Sequence, residues 1–502
     1  MRILAFSDWR TQDVKDAIAL AKREPEPVDV IVYAGDDLTR FRAAGRNYFS
    51  ELAALSRAGV LLAVAGNDDF FEQKVILAEG AVLDLYERPF VYGETGFLGV
   101  EGSTSGPGNL QHPESTIKRR LAAFRKRLKA KRIVVVSHPP PYGILDEGIR
   151  FARLDEGHHH IGSKGLRSFV LADPGVKLVI CGHCHSHGGL SVRLGKALVV
   201  NVASHDGEGS PGKMAIMNLD EPGTPIRWLS TQDLVPPDSL LNLHSIGRRR
   251  EQALRRAGVR TISELSNSEG LLAAAQASGM SVNLLKRLQL KARSYVDKRI
   301  IEIAPFCLKL ERPLFFDIET DIGASRVWLV GVLWDGDFRR FYSDSWAREE
   351  AMLKQFLDFL AHNRPGVLIS YSCTSFDRRV LANALRRYKL DGSHFGNVPH
   401  TDLGAELARC LALPIKSRKV KDVGRFFGYQ FKHGDLDGLH VAHEYSRHLE
   451  EARPLNPAVL DYNEDDVRVL DHIVRRVSQL SGSLDHTTRS QDSLVTSGLP
   501  TS

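Results

Sequence analysis

Two separate groups of residues in this chain have the types and the order that hold divalent metal ions. The N-terminal group consists of Asp8, Asp36, Asn67, His138, His183 and His185. The C-terminal group consists of Asp317, Glu319, Asp377 and Asp466, with Tyr462 just ahead of the last Asp. Carboxylates mixed with neutral imidazoles suit a dinuclear phosphoesterase centre, whereas four converging carboxylates need two cations to stay ionised together. Both groups therefore predict chemistry at phosphate esters.

Length and composition predict a multidomain protein without a membrane segment. A chain of 502 residues is too long for one core, so two or three domains are expected. The net charge of +6 is compatible with a polyanionic partner but does not require one. Five cysteines without a paired framework indicate reduced thiols in a cytoplasmic protein. The N-terminus lacks a signal-peptide pattern, and no apolar run approaches the roughly 20 residues of a membrane span.

The order of the patterns predicts an α/β multidomain architecture. Short β-branched runs alternate with helical patterns up to about Trp228. The predicted buried strands of this part are 28–33, 60–65, 133–137, 178–181 and 197–202. Each is followed by Gly, Asn, His or Asp, and polar residues at strand ends of layered α/β folds point into the active-site crevice.

We predict four segments along the chain, with a linker between the first two. Residues 1–230 form the first α/β domain, and 231–239, with Pro236-Pro237, form a linker. Residues 240–303 are purely helical in pattern. A second α/β domain spans 313–477, with a strand at 327–334 and a helix at 346–362. The polar tail 478–502 is expected to be disordered and dispensable.

The N-terminal motifs occur in a fixed order at predicted strand ends. They are Ser7-Asp8, Gly35-Asp36-Asp37, Gly66-Asn67-Asp68, Ser137-His138-Pro139 and Gly182-His183-Cys184-His185. This series resembles the calcineurin-like metallophosphoesterase family over roughly residues 1–228. The resemblance implies an αββα sandwich and two ions, Mn²⁺ or else Fe²⁺ or Zn²⁺. By analogy, Asp8, Asp36 and His185 hold one metal. Asp36, Asn67, His138 and His183 hold the other, with Asp36 bridging. Taken singly, each residue is better explained as the cap of a strand-end turn, whereas the whole ordered set favours a metal site.

Two residues depart from that family's pattern. Arg10 stands where the family usually has a metal-binding His, and Asp68 stands where it usually has a His after the Asn. Arginine has only donors to offer, so we expect one tight and one weak metal site, or else a clamp in which Arg10 binds a substrate phosphate. His160, the last of three consecutive histidines, either touches substrate at the mouth of the site or belongs to a solvated loop.

The helical segment resembles a tandem helix-hairpin-helix module. Its first hairpin is Leu243-His244-Ser245-Ile246-Gly247, with Ser245 where the family usually has Gly. The resemblance implies sequence-independent binding of nucleic-acid phosphates by backbone N–H groups, with charge added by Arg248 and Arg249. A helical spacer with solvated arginines is the alternative. The basic helix predicted at 117–132 is open to the same two interpretations.

The C-terminal acids follow apolar runs. Asp317 and Glu319 share one side of a strand by its period of two, and Tyr462 and Asp466 share a helix face. The set resembles the ribonuclease H-like DEDD exonucleases of the Tyr subgroup over roughly residues 313–477. The resemblance implies removal of nucleotides from 3′ ends with two Mg²⁺ or Mn²⁺ ions. Asp402 is interpreted as structural.

Three functions remain open from the sequence. The first is a nuclease with two hydrolytic centres, acting on single-stranded or 3′-end DNA or RNA in DNA repair, RNA processing or defence. The second is a phosphatase or cyclic-nucleotide phosphodiesterase that its C-terminal half delivers to nucleic acid. The third is a nucleic-acid-binding scaffold with degenerate sites. The sequence does not choose DNA over RNA, and it fixes neither the metals nor the oligomeric state.

Overall fold

The computed structural model divides into two compact units. They are Met1–Val235, the N-terminal unit, and Pro236–Ser502, the C-terminal unit. The division lies within the segment predicted as a linker. The structure describes residues 1–43, 45–104, 108–148, 160–204, 210–267, 276–306, 308, 310–371, 376–434 and 436–484.

Two six-stranded sheets form the centre of the N-terminal unit. In spatial order, the first sheet consists of Ile226–Ser230, Lys213–Asn218, Arg2–Phe6, Val30–Tyr33, Leu61–Ala63 and Val82–Asp84. The second consists of Ser191–Leu194, Ala197–Asn201, Val176–Cys181, Arg132–Ser137, Thr95–Val100 and Phe90–Tyr92. Apolar side chains of both sheets, among them Val32, Val64, Val136 and Ile180, form one buried core. The predicted runs thus became strands because their apolar residues face this shared interior.

Helices cover the outer faces of this sandwich. Val14–Lys22 and Tyr48–Ala53 bury their apolar sides in a second core, where Phe41 and Phe49 stack with ring centroids 4.2 Å apart. Glu114–Arg127 and Lys164–Ala172 pack together on the other side. The basic helix therefore ends at Arg127, before the predicted end at residue 132, because Arg132 already begins a strand. The predicted αββα architecture is confirmed.

The C-terminal unit begins with a small helical module. Its helices are Arg248–Arg256, Ile262–Asn267 and Val282–Asp297. Leu243, Leu254, Leu265 and Leu288 lie in their common core. A short strand, Ile301–Glu302, pairs antiparallel with Leu411–Ala412 of the following domain. We keep the name hairpin module for residues 240–303, of which 268–275 lie outside the described residues.

A mixed five-stranded sheet follows. Its order is Asp337–Tyr342, Val327–Trp334, Pro313–Thr320, Val367–Ser370 and His400–Asp402. The first three strands are antiparallel, and the last two run parallel to the central one. On its faces lie the helices Glu349–Asn363, Asp377–Arg387, Leu403–Cys410, Val420–Phe426, Gly438–Glu450 and Pro457–Leu484, and the short helix Ser393–Gly396. Asp402 accepts the backbone N–H of Ala405 and so caps the helix that follows it.

The last helix continues past residue 477 into the first residues of the predicted tail. It continues to Leu484 because Val477 is buried and Leu480 packs partly against the same core. Residues 485–502 of the predicted tail lie outside the described residues. Within the described part of the chain, no helix has the combined length and apolar character that a bilayer crossing requires.

Truncation separates the two parts of the tail. Ending the chain at Gln479 removes Leu480, and loss of one half-buried leucine costs about 1 kcal/mol, or roughly 2–4 °C in melting temperature. Ending it at Leu484 should leave the melting temperature unchanged. Calorimetry of the two truncated chains checks this, and equal melting temperatures would show that the contact of Leu480 contributes nothing.

Candidate metal centres

Glycines let the strand-end loops of the N-terminal unit approach one another. A Cβ on Gly66 would overlap with the carboxylate of Asp36, and one on Gly35, whose φ is +100°, would lie 2.6 Å from Nδ1 of His138. These positions therefore require glycine. The carboxylate of Asp69 joins the two loops, since it accepts the backbone N–H of Gly66 at 2.8 Å and that of Leu38 at 3.0 Å.

Asp8 lies at the carboxyl end of the first strand and is fully buried. Its Oδ1 is 2.9 Å from Nε2 of His185, and its Oδ2 accepts the hydroxyl of Ser7 and the backbone N–H of His183. Burial alone would raise the pKa of Asp8, but the neighbouring charge of His185 holds it well below its usual range. Asp8 is thus poised as an anionic ligand.

Nε2 of His138 lies opposite the amide oxygen Oδ1 of Asn67. Nδ1 of His138 is 2.8 Å from the carbonyl of Ala34, which can only accept, so this nitrogen carries the hydrogen. In neutral His138 the lone pair is then on Nε2, 2.9 Å from Oδ1 of Asn67 and 3.6 Å from Oδ1 of Asp36. Three electron-pair donors at such distances repel one another unless a positive charge lies with them.

A cation fits this cluster. Ligand atoms of Asp8, Asp36 and His138 all lie within 4.8 Å of one another, and all three residues are buried. Nε2 of His183 is also buried and has no hydrogen-bond partner among the described residues. Burial lowers the pKa of His183 to about 3, so its imidazole is neutral and able to ligate. The structure therefore brings the predicted N-terminal ligands to one place.

The C-terminal acids converge around the central strand Pro313–Thr320. Asp317 and Glu319 point to one side of it, where Asn463 of the last helix donates to Asp317 Oδ2 at 2.9 Å and to Glu319 Oε1 at 3.4 Å. Asp377, at the start of its helix, accepts the hydroxyl of Ser370 at 2.9 Å. One amide thus holds two of the four carboxylates in position.

Asp466 and Tyr462 complete this site from the last helix. The Tyr462 hydroxyl hydrogen-bonds to Asp466, whereas Oδ1 of Asp466 is buried without a partner among the described residues. Lys421 lies 4.5 Å from the centre of the Tyr462 ring and gives the carboxylates a nearby positive charge. A buried carboxylate oxygen without a partner fits the donor set of a metal site.

The carboxylates strongly disfavour one another's ionisation. Burial and the neighbouring acids raise the pKa of Asp317 and of Glu319 well above their usual ranges. Burial raises the pKa of Asp377 to about 7 and that of Asp466 to about 6. Because Asp317 is repelled by Glu319, Asp377 and Asp466, divalent cations between these acids would let them ionise together, and the chemistry of this donor set fits such ions.

Comparison with known proteins agrees with both geometries. The calcineurin-like phosphoesterase family matches residues 1–187, and the RNase H superfamily matches residues 314–478. The uncharacterized protein MJ1162 of Methanocaldococcus jannaschii is 30% identical over 178 residues, which are 34% of this chain and 76% of that protein. The chain belongs to the calcineurin-like phosphoesterases and carries a second domain of the RNase H superfamily. Both families act on phosphate esters, so the protein is a metal-dependent phosphate-ester hydrolase.

Two solved structures show weaker likenesses. TT1561 of Thermus thermophilus is 17% identical, with a TM-score of 0.33, over 46% of this chain and 98% of that one. The family B DNA polymerase of Pyrobaculum calidifontis is 12% identical, with a TM-score of 0.29, over 54% of this chain and 44% of that one. Neither likeness is strong enough to bear on function.

Arg10 distinguishes this phosphoesterase domain from the pattern of its family. Its Nη2 donates to Asp36 Oδ2 at 3.0 Å and to Asp68 Oδ2 at 2.7 Å, and its Nε donates to Asp37 at 2.9 Å. These carboxylates raise the pKa of Arg10 despite its partial burial, so the guanidinium is a permanent cation beside the predicted bridging ligand. Arg10 and Asp68, the two departures from the family pattern, thus form an ion pair with each other.

The structure also describes the predicted contact residues His160, Arg248 and Arg249. His160 is held through Nδ1 by the buried carboxylate of Asp146, at 2.7 Å, while His158 and His159 lie outside the described residues. Arg248 and Arg249 are exposed in the first turn of their helix, behind Gly247 as N-cap. Their position leaves them accessible to a polyanion and does not by itself assign a contact.

Asn463 is a site residue that the motif did not reveal. It is fully buried, and a Cβ on Gly331 of the neighbouring strand would overlap with its Oδ1. Gly331→Ala should displace this amide from Asp317 and Glu319, destabilise the domain by about 1–3 kcal/mol as overpacking does, and lower activity of the C-terminal site at least tenfold. Activity and thermal unfolding of Gly331→Ala check this, with Gly438→Ala, an exposed position with open space and an ordinary φ, as the comparison. Full activity of Gly331→Ala would show that Asn463 does not position Asp317 and Glu319 for the reaction.

Proposed function

We propose that the protein is a nuclease with two hydrolytic centres. In this proposal the RNase H-like domain removes nucleotides from the 3′ end of a nucleic-acid strand. The phosphoesterase domain hydrolyses a phosphodiester or a phosphomonoester of the same class of substrate. The observation that carries the proposal is the convergence of Asp317, Glu319, Asp377 and Asp466 beside the hydroxyl of Tyr462. A degenerate scaffold has no reason to keep four mutually repelling buried acids.

The side chains of the C-terminal site have separable roles. Asp317, Glu319, Asp377 and Asp466 would hold two Mg²⁺ or Mn²⁺ ions, which when bound supply an activated water and charge stabilisation for the leaving oxygen. Tyr462 stays protonated, because burial and Asp466 raise its pKa well above the usual value. Its hydroxyl can therefore donate and accept hydrogen bonds and so orient the attacking water. Asn463 positions two of the carboxylates.

For the N-terminal site we propose one tightly bound and one weakly bound metal ion. Asp36, Asn67, His138 and His183 would hold one Mn²⁺, Fe²⁺ or Zn²⁺ ion tightly, and Asp8, Asp36 and His185 would hold a second one weakly. The reason is that Arg10 already neutralises Asp36 from one side. One metal supplies Lewis-acid activation of a phosphate oxygen. With its guanidinium donating to three carboxylates, Arg10 supports the weak-site hypothesis more than the phosphate clamp.

An oligonucleotide assay tests the proposal and separates it from its alternative. A single-stranded oligonucleotide with a 5′ label is incubated with the full chain and Mn²⁺, and free phosphate is measured in parallel. Products that shorten by one nucleotide at a time support the nuclease. Release of phosphate alone would support the alternative, a phosphatase that its C-terminal half only delivers to nucleic acid.

A further inference from the structure

A cavity beside two of the C-terminal carboxylates has three cationic side chains, Lys416, Arg418 and Lys419, in its lining. Its volume is about 650 Å³, and it opens between Asp317 and Asp466 on one side and the hairpin module on the other. Its lining includes His244 of the module and the basic segment Lys416-Ser417-Arg418-Lys419. We call this cavity the basic pocket. The hairpin module and the acids of the C-terminal site thus share one opening.

Lys291, on the long helix of the hairpin module, adds a half-buried charge next to this pocket. Its ammonium donates to Oγ of Ser245 at 2.9 Å. Loss of solvent and the charges of Arg418, Arg287 and Arg250 lower its pKa to about 8. Among the described residues, no carboxylate pairs with Lys291.

Arg418 is likewise half-buried, and no carboxylate pairs with it among the described residues. One of its terminal nitrogens donates to the carbonyl of Leu411 at 2.7 Å, and the other has no hydrogen-bond partner among the described residues. Burial and the charge of Arg287 lower its pKa. Positive groups gathered in this way, without a counterion, destabilise the free protein and are expected where an anion is to be bound.

His244 extends the cluster by a hydrogen-bond chain. Ser245, whose φ is +82°, accepts from Lys291 and lies 2.9 Å from Nδ1 of His244. Because an ammonium can only donate, the serine hydroxyl directs its own hydrogen to Nδ1. Burial and the charges of Arg418 and Lys291 lower the pKa of His244 to about 4, so this lining residue of the pocket is neutral and carries its hydrogen on Nε2. Ser245, which departs from the usual hairpin sequence, links the ammonium of Lys291 to the imidazole of His244.

We propose that His244, Lys291 and Arg418 bind a backbone phosphate of the strand whose 3′ end is cleaved at Asp317 and Asp466. The hairpin module is then one wall of the exonuclease substrate channel and not a separate tether. This inference rests on the proposed exonuclease function. A phosphodiester backbone is the occupant that fits, since the pocket offers donors and charge beside a site for phosphate esters and no device for reading bases.

The test is the pair Lys291→Met and Lys286→Met. Both substitutions remove one lysine charge from the same helix, but Lys286 is exposed and Lys291 is not. Affinity for a labelled single-stranded oligonucleotide is measured by anisotropy at several salt concentrations, in full chains that also carry Asp317→Asn to prevent cleavage. Loss of a charged hydrogen bond to phosphate should weaken binding by Lys291→Met about tenfold and reduce the salt slope by about one unit. Lys286→Met should bind as the parent chain does.

The melting temperature is a second measurement, and the substitution that weakens binding should not lower it. Because Lys291 is a cation among cations, Lys291→Met should melt at the same or a higher temperature than the parent without nucleic acid. Should Lys291→Met not fold, Lys291→Gln, which keeps a donor for Ser245, is measured in the same way. Unchanged affinity and salt slope in the folded Lys291 variant would contradict the proposed substrate channel. An equal loss of affinity in Lys286→Met would contradict it as well.

The failure of the channel and the failure of the proposed function are distinguishable. Stepwise 3′ trimming by the wild type, together with unchanged binding of Lys291→Met, overturns only the channel. Absence of trimming by the wild type overturns the exonuclease and with it the assignment of the bound strand.

Discussion

Asn in place of Asp317 should abolish 3′ trimming and spare the phosphoesterase. The substitution removes one buried carboxylate from a site that relies on metal-borne charge stabilisation, which is worth several kcal/mol. Nucleotide release should therefore fall about a thousandfold, corresponding to roughly 4 kcal/mol. Hydrolysis of an aryl phosphodiester at the N-terminal site should stay at the wild-type rate, because all of its predicted ligands belong to the other compact unit.

The comparison for this experiment is Asp337→Asn. Asp337 is an exposed acid at the start of a strand of the same sheet, away from the converging carboxylates. It should retain both activities. Parallel loss of both activities in folded Asp317→Asn would contradict the independence of the two centres.

The second large effect concerns the metal count of the N-terminal site. Replacing Arg10 and Asp68 together by His should increase the number of tightly bound Mn²⁺ ions in that site from one to two. The double change removes a fixed guanidinium next to Asp36 and supplies an imidazole where the family has one. Two more neutral ligands also favour the transition metals that such sites hold.

Metal counting needs a chain without C-terminal ions. Equilibrium dialysis of full chains carrying Asp317→Asn and Asp466→Asn isolates the N-terminal ions. Arg40→His is the control, because Arg40 is exposed and donates to the carbonyl of Gln12 and not to the metal-site acids. Two equally tight ions with Arg10 in place would contradict the weak-site hypothesis.

The strand ends were predictable because their signal is local. A buried strand followed by Gly and a polar residue places that residue at the sheet edge, whichever strand lies beside it. The run predicted at 327–334 became Val327–Trp334, since a run of valine, leucine and tryptophan around a single glycine fits a buried strand.

Contacts between distant segments were not predictable in this way. Nothing in the sequence indicates that Asn463 donates to Asp317 across 146 positions or that Arg10 pairs with Asp68. Such pairs depend on how sheets and helices pack, and a single sequence does not encode packing in its periodicity. The helix end at Leu484 was missed because Leu480 is one apolar residue in a polar stretch, and only its contact with the core keeps the helix folded.

The most direct test of two hydrolytic centres acting on nucleic acid is product analysis of one single-stranded oligonucleotide that carries different labels at its two ends. With the full chain and Mn²⁺, we expect the 3′ label to be released first as a mononucleotide, while the 5′-labelled strand shortens by single steps. Initial release of the 5′ label, or an intact strand with only free phosphate in solution, would contradict the account.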